Sequence, residues 1–197
     1  MSANRWLACA ALGLGALAAA AGTPWRSTRG QIDVDALASM VVHEQDHVDA
    51  LTLALWIKDR KPGLRVVDVR TALEFDADHV PTAEHVPLEM LSRTHFAPTD
   101  TLVLYSQGGA HAAQGWVLLR ALGIRQVFFL SGGLDEWTSD VMDPLLPDDA
   151  TPAEKSAFAA TSAISRYFGG RPHVGPRVPG GSSTSAKSTA ALKRRGC

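Results

Sequence analysis

Thr101-Leu102-Val103-Leu104-Tyr105-Ser106-Gln107-Gly108-Gly109-Ala110-His111 passes from an apolar stretch through a glycine-containing turn into a helical pattern. Thr101 to Tyr105 is apolar and rich in β-branched and aromatic residues, which predicts a buried strand. Ala110 to Leu122 reads as a helix, and Gly123 stands at the C′ position where a chain commonly leaves one. A strand, a turn and a helix in this order form the repeating unit of an α/β sheet.

The same unit recurs on both sides. Upstream, Leu64-Arg65-Val66-Val67 reads as a short buried strand after the helix-ending Lys61-Pro62-Gly63. Thr71 and Glu74 have capping-box spacing, which predicts a short helix over Thr71 to Phe75. Leu88 to Arg93 fits one more helical turn. Downstream, Val127-Phe128-Phe129-Leu130 reads as a third strand, Gly132-Gly133 as a turn and Leu134 to Ser139 as a helix. Strands that alternate with helices imply a parallel sheet with helices on both faces. Ligands of such sheets sit at the carboxyl ends of the strands, here just after Val67 and just after Tyr105.

Two helices are expected ahead of this unit. Val34, Leu37 and Val41 have helical spacing over Asp33 to Val42, with Asp33 or Asp35 as cap. After a break at His43 to His47, Asp49 caps a second helix whose Leu51, Leu53, Leu55, Trp56 and Ile57 face mostly inward. Beyond Trp137, the residues Pro144, Pro147, Asp148 and Asp149 suggest a linker. Thr151 to Phe168 fits an amphipathic helix with Pro152 near its start and Gly169-Gly170 at its end. From Arg171 the chain is rich in Gly, Pro, Ser, Thr and Lys, a composition that predicts disorder. The expected division is therefore a targeting segment at 1–22, a helical lead-in at 30–47, an α/β domain at 48–145, a linker and helix at 146–170 and a disordered tail at 171–197.

The chain has 197 residues, suiting one domain with appendages, and a formal net charge of −1, which offers no electrostatic reason for a nucleic-acid partner. Its 2 cysteines, Cys9 and Cys197, both lie outside the domain, so no disulfide framework or cysteine metal site can form within it. No metal or other cofactor is implied. Arg5 precedes a continuous apolar run from Trp6 to Gly22 with small residues at Ala19-Ala20-Ala21. This pattern suits a cleaved signal peptide that exports the protein to the periplasm, or a membrane anchor.

Four blocks now stand in order: Val67-Asp68-Val69-Arg70, Phe75-Asp76-Ala77-Asp78-His79-Val80-Pro81-Thr82-Ala83, Tyr105 to His111, and Val127 to Trp137. Together they resemble a rhodanese domain over roughly residues 48 to 140. The family pattern has a D-V-R strand end, an aromatic-x-x-x-H-I/V-P-G-A block, a Y-C-x-x-G-x-R loop before a helix and a G-G-x-x-x-W terminus. The resemblance implies sulfur transfer, in which a loop cysteine takes sulfur from a donor such as thiosulfate and passes it to an acceptor such as cyanide or a thiol. Backbone N–H groups and a helix N-terminus would hold the thiolate and incoming oxyanions.

This sequence departs from that pattern at the loop, whose members are Ser106, Gln107, Gly108, Gly109, Ala110 and His111. Ser106 stands at the cysteine position, and an alcohol cannot carry a persulfide. A serine nucleophile normally needs an adjacent base, and His111 is the only one in the loop. His111 stands where the family has arginine, so anion binding should be weaker and pH-dependent. Thr82 replaces the glycine between Pro81 and Ala83. Asp68 and Arg70 remain and would support the loop, as an ion pair or cap. With Ser106, Gly109 and His111 they form the expected anion-binding and supporting set. His79 is expected to make a structural hydrogen bond.

Two further features weigh less. His43-Glu44-Gln45-Asp46-His47 matches the H-E-x-x-H zinc-protease spacing, but it straddles a helix end and a loop. Cys197 could bring a thiol to the loop. The expected function is thus an exported or membrane-anchored rhodanese-like binding module, inactive in sulfur transfer, whose partner is a protein or a small anion. Membrane association would run through residues 1–22. The alternatives are a sulfurtransferase that borrows the thiol of Cys197 or of a partner, and a membrane-tethered structural subunit docking through Thr151 to Phe168.

Overall fold

The computed structural model describes residues 33–177, together with Trp6 and residues 11–15. The chain divides into two units, Met1–Ile32 and Asp33–Cys197. In the first, Trp6 and residues 11–15 are helical. The rest of the expected targeting segment, Cys9 included, lies outside the described residues. Among those described, no helix is long and apolar enough to cross a membrane.

The second unit is an α/β fold. Its elements run α1 (Val34–Val42), β1 (His47–Val48), α2 (Ala50–Lys58), β2 (Leu64–Asp68), α3 (Ala72–Ala77), β3 (Glu84–His85), a 3₁₀ turn (Leu88–Arg93), β4 (Thr101–Tyr105), α4 (Ala110–Ala121), β5 (Val127–Leu130) and α5 (Gly133–Trp137). A π-helical turn (Thr138–Met142), β6 (Leu145–Pro147), α6 (Pro152–Tyr167) and β7 (His173–Gly175) follow. Strands β1 to β5 make one parallel sheet of 5 strands in the order β1-β5-β4-β2-β3.

The sheet sorts its side chains with the twofold period of a strand. Val66, Val103 and Tyr105 enter one core with Leu53, Leu134, Trp137 and Val141. Val67, Leu102 and Leu104 enter the opposite core with Leu91, Trp116 and Leu119. All residues of β4 are buried, as expected of a central parallel strand covered on both faces. Helix α4 lies close against the second core because Gly115 has no side chain: a Cβ there would meet Leu91 Cδ1 at 2.9 Å and Leu104 Cδ1 at 3.0 Å.

Local signals act as their chemistry predicts. Asp33 caps α1 through the Ala36 amide, and Asp49 caps α2 through Thr52. Thr71 with Glu74 and Thr151 with Glu154 form reciprocal capping boxes. In α2, Leu51 and Leu53 are buried, whereas Leu55, Trp56 and Ile57 are only half-buried.

The C-terminal part differs from the expected linker and tail. Leu145–Pro147 is a strand, and it pairs in parallel with His173–Gly175, so order continues past Arg171. Arg177 then binds Asp149 at 3.0 Å and Glu154 at 3.2 Å. Residues 178–197, with Cys197, lie outside the described residues. The apolar side of α6 is used within the domain: Ile164 and Phe168 pack on the first core, and Phe168 meets the Trp137 ring at 5.3 Å.

Candidate functional site

The turn after β4 lies at the carboxyl edge of the sheet, between the segment after β2 and the start of α5. Ser106 is buried, and its Oγ accepts from the Ala112 amide at 3.4 Å. Ala112 is the third residue of α4, so the hydroxyl serves as a weak cap for a helix whose N-cap residue, Gly109, has no side chain. Gly109 has φ +88°, a conformation that costs other residues steric strain. Gln107, Gly108, Ala110 and His111 are exposed.

Helix α5 fixes the turn from one side. The Leu134 amide donates to Ser106 O at 2.9 Å, and the Asp135 amide donates to Gln107 O at 3.0 Å. Gly133, at φ +60°, permits this approach, because a Cβ on it would collide with the Ser106 and Gln107 carbonyl oxygens.

Arg70 fixes the turn from the other side. Asp68 Oδ1 accepts from the Arg70 amide at 2.9 Å, and its Oδ2 accepts from Nη2 at 2.7 Å. Arg70 also donates to Asp78 O at 2.6 Å and to Gln107 Oε1 at 3.0 Å. Both charged side chains are almost fully removed from water, at 5% and 0% exposure, so each depends on the other for its charge. Its hydrogen bond to Asp68 raises the Arg70 guanidinium further above its ordinary range. The Tyr105 phenol is pushed well above its usual range, first by burial and then by Asp68. Its hydroxyl accepts from the Val80 amide at 3.1 Å.

Arg70 is therefore heavily engaged: Nε and Nη2 donate to Asp68, Nη2 to Asp78 O and Nη1 to Gln107, and its charge is balanced by Asp68. Placed beside the loop with Ser106 and Gly109, it supports Gln107. His111 lies on the exposed face of α4, and among the described residues no hydrogen bond joins it to Ser106. The Glu74 carboxyl is held below the usual range chiefly by hydrogen bonds from Thr71. His79 donates to Phe75 O at 2.9 Å and stacks on the Phe75 ring at 4.2 Å. Thr82 has φ +68°, so a β-branched residue occupies a left-handed position.

Sequence reasoning missed Asp135. Its Oδ1 accepts from Gln107 Nε2 at 2.6 Å across a separation of 28 residues. No local pattern could have announced that bond. The H-E-x-x-H spacing leads elsewhere. His43 caps the end of α1 and contacts Ser39 O at 2.7 Å, while His47 lies in β1 and meets buried Asp46 at 2.8 Å. Among the described residues no group of three or more His, Cys, Asp or Glu side chains could hold a metal ion.

Residues 51–140 match the family model described as Rhodanese-like domain. This part of the chain is a rhodanese-like domain. The match takes in the loop after β4, the Asp68–Arg70 pair and the whole of α5. The uncharacterized protein slr1261 of Synechocystis sp. is 34% identical over 74 residues, or 36% of this chain and 41% of that one. The chain thus spans less than half the length of this curated relative. Among solved structures, the rhodanese-like domain of the Anabaena sp. protein Alr3790 is 26% identical, with a TM-score of 0.44 over 47% of this chain and 72% of that one. A rhodanese-like domain protein from Staphylococcus aureus is 22% identical, with a TM-score of 0.43 over 47% of this chain and 90% of that one.

Proposed function

We propose that this rhodanese-like domain does not transfer sulfur and serves as a binding module, exported or held at a membrane by residues 1–22. In this reading Ser106 occupies the place of the family's persulfide-forming cysteine. The observation that carries it is the state of that hydroxyl: Ser106 Oγ is buried, turned to the Ala112 amide, and among the described residues has no base bonded to it. Sulfur transfer requires a thiolate to take the outer sulfur of thiosulfate, form an S–S bond and release sulfite. Cyanide then removes that sulfur as thiocyanate and restores the thiolate. An oxygen atom in the same place forms no persulfide, and an alcohol without a base stays protonated at neutral pH. What persists is the framework of the loop, held by Arg70, Gln107 and α5, with exposed residues available to a partner.

The test is thiosulfate:cyanide sulfur transfer by the full chain, beside Ser106→Cys and Cys197→Ser. The wild type is expected to show no turnover and Ser106→Cys to gain it. A wild type that turns over, and stops when Cys197 is replaced, overturns the reading and makes the distant thiol the working group.

A further inference from the structure

The carboxylate of Asp135 borders the exposed face of the loop. Its Oδ1 accepts from Gln107 Nε2 at 2.6 Å, and its Oδ2 lies 3.7 Å from the point that a Cβ on Gly108 would occupy. Gly108 has no side chain to stand between this charge and a ligand resting on the loop. Gln107 cannot swing away freely, because its Oε1 is held by Arg70 Nη1 at 3.0 Å. The neighbouring charges do not cancel Asp135. Arg70 is paired with Asp68. Glu136, the next residue, adds a second carboxyl, raised above its usual range first by burial and then by Asp140.

We propose that Asp135 is a specificity-determining residue of the loop, tethered by Gln107 so that its charge excludes oxyanions such as thiosulfate. The inference rests on the loop being a binding surface and names what that surface rejects. The loop amides alone would attract an anion, as a helix N-terminus does. A fixed negative charge about 6 Å from a bound dianion weakens its binding about ten-fold at low ionic strength, and salt screens the effect.

Asp135→Asn separates charge from shape, since an asparagine oxygen can still accept from Gln107. Titration of the full chain with thiosulfate, followed by the amide resonances of Gly108 and Gly109, should show about ten-fold tighter binding by Asp135→Asn than by wild type. Asp59→Asn removes the same charge at the far end of α2 and should bind as wild type does. Equal affinity in wild type and Asp135→Asn, including no measurable binding by either, overturns the proposal, as does an equal gain in Asp59→Asn. Asp135→Ser serves if the asparagine variant does not fold. Wild-type affinity that falls steeply with added potassium chloride would also overturn it, because that marks attraction. Turnover of thiosulfate by the wild type would sink the non-transferring reading alone; an unchanged affinity in Asp135→Asn would sink only the role given to Asp135.

Discussion

Strand β2 and the turn after it carry two arginines with opposite relations to water. Arg65, toward the start of the strand, donates to both Glu84 oxygens at 2.6 and 2.7 Å and to Asp100 at 3.1 Å, and it lies over the Phe96 ring at 4.8 Å. Its side chain is 29% exposed and that of Glu84 is 38% exposed. Arg70, just after the strand, is 5% exposed and its partner Asp68 is fully buried. Arg65 pairs with two carboxylates and Arg70 with one, yet water reaches Arg65 and Glu84, screens their pairing and would rehydrate whichever of them was left behind. Arg70 and Asp68 have no such refuge. The number of ionic contacts is thus a poor guide to dependence, and the decisive quantity is what happens to the partner that remains.

Arg70→Ala should give the largest effect, costing about 3–5 kcal/mol by urea denaturation because Asp68 is left buried and unpaired. Asp68→Asn in the same chain should recover part of that loss. Arg65→Ala should cost about 1 kcal/mol. An equal cost for the two single arginine variants would break the comparison.

The segment between the networks sharpens it. Asp78 O accepts from Arg70 and Glu84 accepts from Arg65, with Thr82 at φ +68° between them. A left-handed conformation costs an L-residue roughly 1–2 kcal/mol, and glycine gives back roughly 0.5–1 kcal/mol of that as lost chain entropy. Thr82→Gly should therefore stabilise the fold by roughly 0.5–1 kcal/mol. A destabilised variant would show that the threonine side chain outweighs the backbone strain.

Acid should act least and in two phases. Burial raises the carboxyls of Glu136 and Asp140, so the folded state binds protons before the unfolded chain does. Stability should then rise as pH falls through their raised values. The Ala97 amide and Arg65 lower Asp100, so its contribution is present above the ordinary value of 3.8 and is lost as pH falls below it. A melting-temperature series against pH should show a shallow rise before the acid loss, and Glu136→Gln should flatten the rise.

Much of this architecture could be read directly from the chain. Strands β2, β4 and β5 are apolar runs bounded by turn residues, Thr71 and Asp49 announce their helices by side chains that bond three residues ahead, and Pro152 marks the start of α6. The place of the loop followed from the succession of Tyr105, Ser106 and Ala110. Other features are not local. Strands β1 and β3 are two residues each and are defined by the neighbours they pair with. The partners β6 and β7 lie on either side of α6, so Pro147 and Val174 each resembled loop. At the loop, the strap Arg70–Gln107–Asp135 joins residues separated by 37 and 28 positions, a proximity created only by the folded sheet.

The pairing of β6 with β7 has a mechanical side. Residues 145 and 173 stand opposite each other and close α6 into a loop, which Arg177 fastens again at Asp149 and Glu154. Tension on the chain beyond Arg177 falls first on that small clasp. Once the clasp opens, α6 is held by its packing on the first core through Ile164 and Phe168, and load passes from there to Val103 and Tyr105 of β4.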